Sequence, residues 1–557
     1  MYDQLRFDYL SCAGHPTLDT PNFDRIANLG VRFTNAYVQS PICGASRMCY
    51  YTGRYASSHG AQWNGFPLRV GEMTLGDHLR DAGMNCWLIG KTHMKVDSDG
   101  MRRLGLSPDS VIGSRQAECG FDVWVRDDGL WAQGPDGWYD EKHSPYNDYL
   151  KSKGYASENP WADFANAAVS DEGDIASGWL MQHADQPANI AEEDSETAWL
   201  TTQALAFLDQ SRTQNSNNKQ SFAVNQPWCC HVSYIKPHWP YIVPAPYHAL
   251  YGEEDVPDAV RHNIEKENPH PVYGAFMENK IAATFQRDEV RRKVIPAYMG
   301  LIKQCDDHLG RIIESLEQSG ELNNTMIILT SDHGDYLGDH WLGEKDLFHE
   351  QSVKVPLIIY DPRKDADSTR GSVCDALVES IDIAATFVDC TEAAVPDHIL
   401  EGRSLLPWLH GQTPSEWRDY VISEYDYSVT PQATKLGVEP RDARLFMVFD
   451  GRYKLVHAEG GLRPMLFDLQ QDPEEFHDLA KGDSHQSEND RLYKYLADWG
   501  RRLSQRVTRS EQDIKNMRGR AARKGVLPFL FDGTEVPDEL TQHYHGKAAG
   551  KNPDGKQ

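Results

Sequence analysis

The chain is short of positive charge, of paired cysteines and of long apolar runs, and each shortage excludes something. Against 83 Asp and Glu stand 56 Lys and Arg, a formal net charge of −27. A surface of that sign repels a phosphate backbone, which excludes nucleic acid as a partner, although a few local cations in a pocket can still hold a small anion. The ten cysteines form no CxxC pair and no Cys/His spacing of the zinc type. They read as reduced, mostly buried thiols, which points to the cytoplasm rather than to secretion. No run of about 18 apolar residues occurs, so no membrane span is expected. The opening MYDQLRFDYLSCAG lacks the charged-then-apolar layout of a signal peptide. No internal repeat is present.

What is present is the grammar of an α/β enzyme: helix, short loop, apolar strand, polar turn. At 557 residues the chain suits one large domain with appendages. The strongest strand signal, TMIILTSDHGD (325–335), runs an Ile/Leu-rich stretch into a turn loaded with Asp and His. Upstream, Leu301, Ile302, Cys305, Leu309, Ile312, Ile313 and Leu316 keep helical spacing up to a glycine stop. TLGDHLRDAGMNCWLIGKTHM (74–94) repeats the pattern and ends on a Lys-x-His tip; VKVPLIIYDP (353–362) is a further strand and SIDIAATFVDC (380–390) a further helix. Residues 125–195, rich in Trp, Asp, Gly and Pro, are expected to form a long insertion near the pocket mouth. Past residue 415, DYVISEYDY, RLFMVFDG and YKLVHAE are short β-rich runs followed by MLFDLQQDPEEFHDLA. The expected organisation is a catalytic α/β domain over 1–415 and a subdomain with a small antiparallel sheet over 416–490. A C-terminal helix and tail over 491–557 follow, whose apolar GVLPFLFDG could dock on a second subunit.

Ligands of open α/β sheets sit just past the carboxyl ends of strands. Asp332 and His333 fall at such a point, and Asp3 and Gln4 add oxygen donors. The four would suit Ca²⁺, Mg²⁺ or Mn²⁺ better than zinc. Lys91 and His93 in IGKTHM, His238 in YIKPHWPY and Lys345 in GEKDLFHE each follow an apolar run. Taken singly, each is an ordinary surface lysine or loop histidine; facing one metal together, they would grip a sulfate or phosphate ester.

The stretch SPICGASRMCYYTGRY (40–55) ties these pieces together. Its C-G-A-S-R followed by Y-T-G-R resembles the modification signature of the type I sulfatases, Cys-x-(Pro/Ala)-x-Arg with a Thr-Gly-Arg box. IGKTHM, KPHWPY, LTSDHGDYLGDH, EKDLFHEQSVKVPLII and LFDLQQDPEEFHDLA resemble further family segments, in order, over residues 1 to about 480. The resemblance implies an alkaline-phosphatase-like fold with a large mixed, mostly parallel sheet flanked by helices. It implies that Cys43 is oxidised to formylglycine by a formylglycine-generating enzyme and that its hydrated form attacks sulfur. It implies that Arg47 stabilises that hydrate, and that Asp3, Gln4, Asp332 and His333 with residue 43 hold one divalent metal ion, Ca²⁺ or Mn²⁺ in preference to Mg²⁺. Lys91 and Lys345 would then bind sulfuryl oxygens, His238 would assist the leaving alcohol, and His93 would help to regenerate the aldehyde.

Two departures shape the functional expectation. Only Met1 and Tyr2 precede Asp3, where the family usually has an apolar strand, so the natural start is expected upstream. Gln4 beside Asp3, Asn64 in QWNG, the ANIAEEDSETAWLT segment and the long tail are similar to the phosphonate monoester and phosphodiester hydrolase branch. That branch assembles into oligomers, so a homodimer or homotetramer is expected. Lys91 and His93, however, stand where that branch tends to have Tyr and Thr. The leading expectation is an arylsulfatase-like, promiscuous sulfuric ester hydrolase whose Asn64, Lys91, His238 and Lys345 bind a small anionic ester. The alternative is a phosphonate monoester or phosphodiester hydrolase with the same nucleophile, and a catalytically dead binding protein is the third reading. Trp63 and the Trp-rich 120–165 insertion could line an aromatic subsite.

Overall fold

The computed structural model describes residues 1–107, 110–129, 144–212, 226–482, 484–520 and 531. Within them the chain forms fourteen strands: β1 (Tyr2–Asp3), β2 (Val31–Tyr37), β3 (Asn85–Gly90), β4 (Asp122–Arg126), β5 (Ala167–Val169), β6 (Ile175–Ser177) and β7 (Trp228–Pro237). The remainder are β8 (Ile327–Thr330), β9 (Leu357–Tyr360), β10 (Ser372–Glu379), β11 (Val421–Asp426), β12 (Arg444–Phe449), β13 (Tyr453–Ala458) and β14 (Met465–Asp468). Two four-stranded sheets, β10-β2-β9-β8 and β1-β7-β3-β4, are joined by a parallel bridge between Tyr2 and Ser331. The result is one mixed sheet in which only β9 runs antiparallel to its neighbours. Its inner strands β3 and β9 are apolar on both faces because successive side chains feed opposite cores, while the edge strand β10 starts partly exposed. Cys86 and Leu88 enter one core while Trp87 and Ile89 enter the other.

Helices cover both faces. Asp288–Gln318 lays Ile295, Tyr298, Ile302, Leu309 and Ile313 onto one core, with Pro296 inside its early turns. Asp382–Cys390 brings Ala384, Ala385 and Val388 to the other. With cores on both sides, the carboxyl ends of β1, β3, β7 and β8 open on one edge, and the candidate residues collect there.

The small sheet, β11-β12-β13-β14, is antiparallel throughout. Its Ile422, Val448, Leu455 and Leu466 pack with Leu492 and Trp499 of helix Gln486–Gly500. On its other face Lys454 is fully buried and donates to Glu350 at 2.7 Å and to the Phe348 carbonyl at 3.1 Å. This buried contact joins the small sheet to the segment that follows Lys345.

The chain divides into two compact units, Met1–Val395 with Leu400–Arg502, and Pro396–Ile399 with Leu503–Gln557. In the second, helix Glu511–Met517 starts at a capping box made by Ser510 and Asp513. Apart from Phe531, GVLPFLFDG and the tail lie outside the described residues, as do 130–143 of the Trp-rich insertion. The described part of that insertion is structured: helix Pro145–Ser152 and the β5-β6 hairpin. Among the described residues no helix is long and apolar enough to cross a membrane.

Candidate active site

Cys43 opens helix Cys43–Thr52, all ten residues of which are buried. One helical turn separates Cys43 from Arg47, so both side chains project toward the carboxyl edge of the sheet. Two glycines admit the neighbouring motifs. At Gly90 (φ +98°) a Cβ would stand 2.1 Å from the Ser233 carbonyl, so only glycine lets β3 turn Lys91 inward beside β7. At Gly334 a Cβ would lie 1.9 Å from the Gln351 carbonyl, which keeps the His333 turn tight against its neighbour. Gln4 and His93 hold left-handed backbones, φ 67° and 55°, which aim two side chains that follow strands.

Asp3, Cys43, Asp332 and His333 are all buried, and each offers a ligand atom within 4.8 Å of the others. His333 Nδ1–H donates to the Gly334 carbonyl at 2.8 Å, leaving Nε2 to face Cys43 Sγ at 3.0 Å. Nε2 is thus the ring nitrogen turned toward the group that could hold a metal ion. Asp3 Oδ1 is buried with no hydrogen-bond partner among the described residues. An orphaned carboxylate oxygen beside a directed imidazole fits a bound cation. Gln4 lies against this group: its backbone N–H donates to Asp332 Oδ1 at 3.1 Å. Its side-chain amide N–H₂ donates to Asp335 and Tyr241, and its Oε1 meets Lys345 Nζ at 3.4 Å.

Arg47 is the organising cation. It is fully buried, donates to Asp332 at 2.8 Å and to Asp3 at 3.3 Å, and reaches the Lys91 carbonyl and Ser233 Oγ. Lys91 Nζ pairs with Asp3 at 2.5 Å. Across the pocket, Lys345 Nζ lies 3.4 Å from His238 Nε2, and His238 Nδ1–H donates to the Trp239 carbonyl at 2.7 Å. His93 N–H donates to Asp128, while its buried Nδ1 has no hydrogen-bond partner among the described residues. Asn64 Oδ1 accepts from the Gly44 N–H at 2.8 Å, which places Asn64 beside the nucleophile position.

These charges set the protonation states. Burial raises the Cys43 thiol, but Lys345 and His333 outweigh it and hold the group well below the usual thiol range. Burial pushes His238 down to about 4 against the pull of Asp3, so its imidazole is neutral at pH 7. Burial also opposes the Lys345 charge, yet Cys43 and Glu344 hold that ammonium well above its ordinary value.

Contacts thus link Asp3, Gln4, Cys43, Arg47, Lys91, His238, Asp332, His333 and Lys345 into one group, with Asn64 joined to it through the Gly44 N–H, whereas for His93 the contact seen is that of its backbone with Asp128. Sequence reasoning missed Asp335 and Tyr241, which orient Gln4, and Ser233 and Asp128, which seat Arg47 and His93. Asp335 stands inside the quoted SDHGD and carried a signal; Tyr241, Ser233 and Asp128 had none. Of the aromatics, Trp63 stacks on Tyr425, and a chain Trp161–Trp179–Trp239 ends beside His238. Glu265, His340 and His349 form a second cluster of possible ligands. Its two imidazoles stack 3.7 Å apart at 3°, so no single ion lies in both ring planes.

Fold and pocket define an α/β protein with a possible cation site beside a thiol held below its usual range. The Sulfatase family model matches residues 1–393, and the model for the N-sulphoglucosamine sulphohydrolase C-terminal region matches 338–501. The chain belongs to the sulfatase family: it is a type I sulfatase of the alkaline phosphatase superfamily, a hydrolase acting on sulfate esters. It is 31% identical over 516 residues to the multifunctional alkaline phosphatase superfamily protein PehA of Trinickia caryophylli, covering 86% of this chain and 90% of that one. An arylsulfatase of Clostridium perfringens is 28% identical, over 89% and 92% of the two chains. The structure of the phosphonate monoester hydrolase SpPMH from Silicibacter pomeroyi superposes with a TM-score of 0.77 at 29% identity, covering 91% and 96%.

Proposed function

We propose that the protein is a formylglycine- and metal-dependent sulfatase that cleaves aryl and small alkyl sulfate monoesters to phenol or alcohol and sulfate. The observation that carries this reading is the 3.0 Å approach of Cys43 Sγ to His333 Nε2, inside a cage of Asp3, Asp332, Lys91, His238 and Lys345. The Cys43 sulfur stands in for one oxygen of the hydrated aldehyde. Asp3, Gln4, Asp332 and His333 would hold the cation, and this oxygen-rich set suits Ca²⁺ or Mn²⁺, with Mg²⁺ the next choice. A bound cation lowers the pKa of the attacking hydroxyl and takes up transition-state charge. With residue 43 as hydrated formylglycine, one hydroxyl would supply the nucleophile for sulfur and the other the means of releasing sulfate.

The chain's own side chains do the rest. Arg47 holds both Asp3 and Asp332 toward the nucleophile. Lys91 and Lys345 grip sulfuryl oxygens, where charge grows as the bond to the leaving oxygen breaks. Because neutral His238 carries its one hydrogen on Nδ1, committed to the Trp239 carbonyl, it assists that oxygen by relaying through Nε2 a proton drawn from the Lys345 ammonium 3.4 Å away. His93, whose buried Nδ1 has no hydrogen-bond partner among the described residues, accepts the proton of the second hydroxyl. The reading includes a formylglycine-generating enzyme as partner and a homo-oligomer of two or four copies. It also includes a cytoplasmic setting, which suits ten free thiols.

A second reading, phosphonate monoester or phosphodiester hydrolysis by the same nucleophile, is favoured by Gln4 and by the likeness to SpPMH. Mass analysis of the Cys43 peptide, after co-expression with a formylglycine-generating enzyme, tests the nucleophile. The expected loss is about 18 Da, the difference between CH₂SH and CHO. Parallel assays with 4-nitrophenyl sulfate and a phenylphosphonate ester then rank the two readings. An unmodified thiol in an enzyme that turns over would refute both.

A further inference from the structure

Behind the His238 loop lies a buried polar group that the reaction above does not use. Lys236, at the end of β7, is only 6% exposed. Its Nζ donates to the Pro240 carbonyl at 2.9 Å, to Asn166 Oδ1 at 3.1 Å and to the His238 carbonyl at 3.4 Å. An ammonium with three acceptors has its donors satisfied, and two of those acceptors are carbonyls that bracket Trp239. That residue's own carbonyl holds His238 Nδ1.

The counter-charge comes from an acid pair. Glu196, at the start of helix Glu196–Arg212, is the carboxylate that acts most strongly on Lys236, and it is buried together with Asp127. Glu196 Oε1 accepts from Trp161 Nε1 at 2.8 Å, and Asp127 Oδ1 accepts from the Gly129 N–H at 3.1 Å. The remaining oxygens, Asp127 Oδ2 and Glu196 Oε2, receive no hydrogen bond from any other described residue. Burial raises both carboxyls, and each acts on the other, which favours one proton held between them. Asp127 is the group that keeps it, because burial and the Glu196 charge both push its carboxyl up. The remaining negative charge, on Glu196, is the one that favours the Lys236 ammonium.

We propose that Lys236, through its hydrogen bonds to the Pro240 and His238 carbonyls and to Asn166, is a positioning residue that fixes the loop so that His238 Nε2 meets the leaving oxygen. The inference rests on reading His238 as the group that assists the leaving alcohol. A fixed histidine matters most for esters whose leaving group needs a proton. A loosened loop therefore slows poor leaving groups and spares good ones.

The test uses the formylglycine-bearing, metal-loaded enzyme and a series of substituted phenyl sulfates. Lys236→Met is expected to lower kcat/KM for phenyl sulfate about 10²-fold and for 4-nitrophenyl sulfate no more than about threefold, steepening the dependence on leaving-group pKa. Glu196→Gln should steepen it less, and Asp127→Asn least, because an amide can replace the shared proton as donor. His238→Ala, measured in parallel, separates the two ideas. If it steepens the dependence while Lys236→Met lowers all esters equally, the positioning role is wrong and the role of His238 stands. If His238→Ala itself lowers all esters equally, the reading of His238 fails and the proposal fails with it. Should Lys236→Met not fold, Glu196→Gln carries the same comparison, and an unchanged slope there overturns the proposal.

Discussion

Arg47→Met offers the sharpest check on how the pocket is held together. The substitution keeps most of the side-chain volume but removes a guanidinium that serves Asp332 at 2.8 Å, Asp3 at 3.3 Å, the Lys91 carbonyl and Ser233 Oγ. Both carboxylates are fully buried, so water cannot replace the lost donor. Removing one partner from a buried ion pair costs about 3–5 kcal/mol, because the other charge is left uncompensated. Lys91 still neutralises Asp3, so most of the cost falls on Asp332. For a unit of about 500 residues the unfolding entropy near Tm is about 1 kcal/mol/K, so the chelator-treated variant should melt about 3–5 °C below the parent. A cation that neutralises the same carboxylates adds about 2.7 kcal/mol at a hundredfold excess over its Kd, and should add more in the variant, closing much of the gap. Scanning calorimetry with and without saturating Ca²⁺ measures both effects. An unchanged melting temperature in the metal-free variant, or a gap that metal does not narrow, refutes the view of Arg47 as counter-ion to the cation's own ligands.

Cys43→Ala should lower 4-nitrophenyl sulfate turnover by about 10⁴-fold or more, as loss of a nucleophile does; a variant within tenfold of the parent would remove Cys43 from the mechanism. Lys91→Tyr with His93→Thr should reduce sulfatase activity more than phosphodiesterase activity, read as the ratio of the two kcat/KM values, and an unchanged ratio refutes that discrimination. Gly90→Ala should fail to accumulate as folded protein, since its Cβ would meet the Ser233 carbonyl at 2.1 Å in a left-handed backbone; soluble yield and circular dichroism decide. Burial pushes Glu350 up, but Lys454 and Lys354 outweigh it and hold the carboxyl down to about 2 from its ordinary 4.5. A depressed carboxyl contributes stability that is present above pH 4.5 and lost as pH falls toward 2. The melting temperature should therefore fall across that window, and Glu350→Gln should flatten the fall.

The sequence by itself determined the strands, their apolar character and the polar turns that end them. Hydrophobic runs such as MIILT and CWLIG must be buried whatever surrounds them, and the Asp, His and Lys that follow must then stand at their ends. The spacing of Cys43 and Arg47 is likewise local, because one helical turn sets it. Tertiary structure decided what no local pattern encodes. Asp3 and Asp332 become partners because a parallel bridge joins Tyr2 to Ser331. Gln4 is aimed by Tyr241 and Asp335, which share no motif with it. Lys236 reads in sequence as a strand-end lysine and is buried only because β7 lies inside the sheet, between β1 and β3. Spacing along the chain fixes which side chains share a turn or a strand end. Charge states and partners depend on what is packed against them, and that is settled by strand order, through contacts between residues hundreds of positions apart.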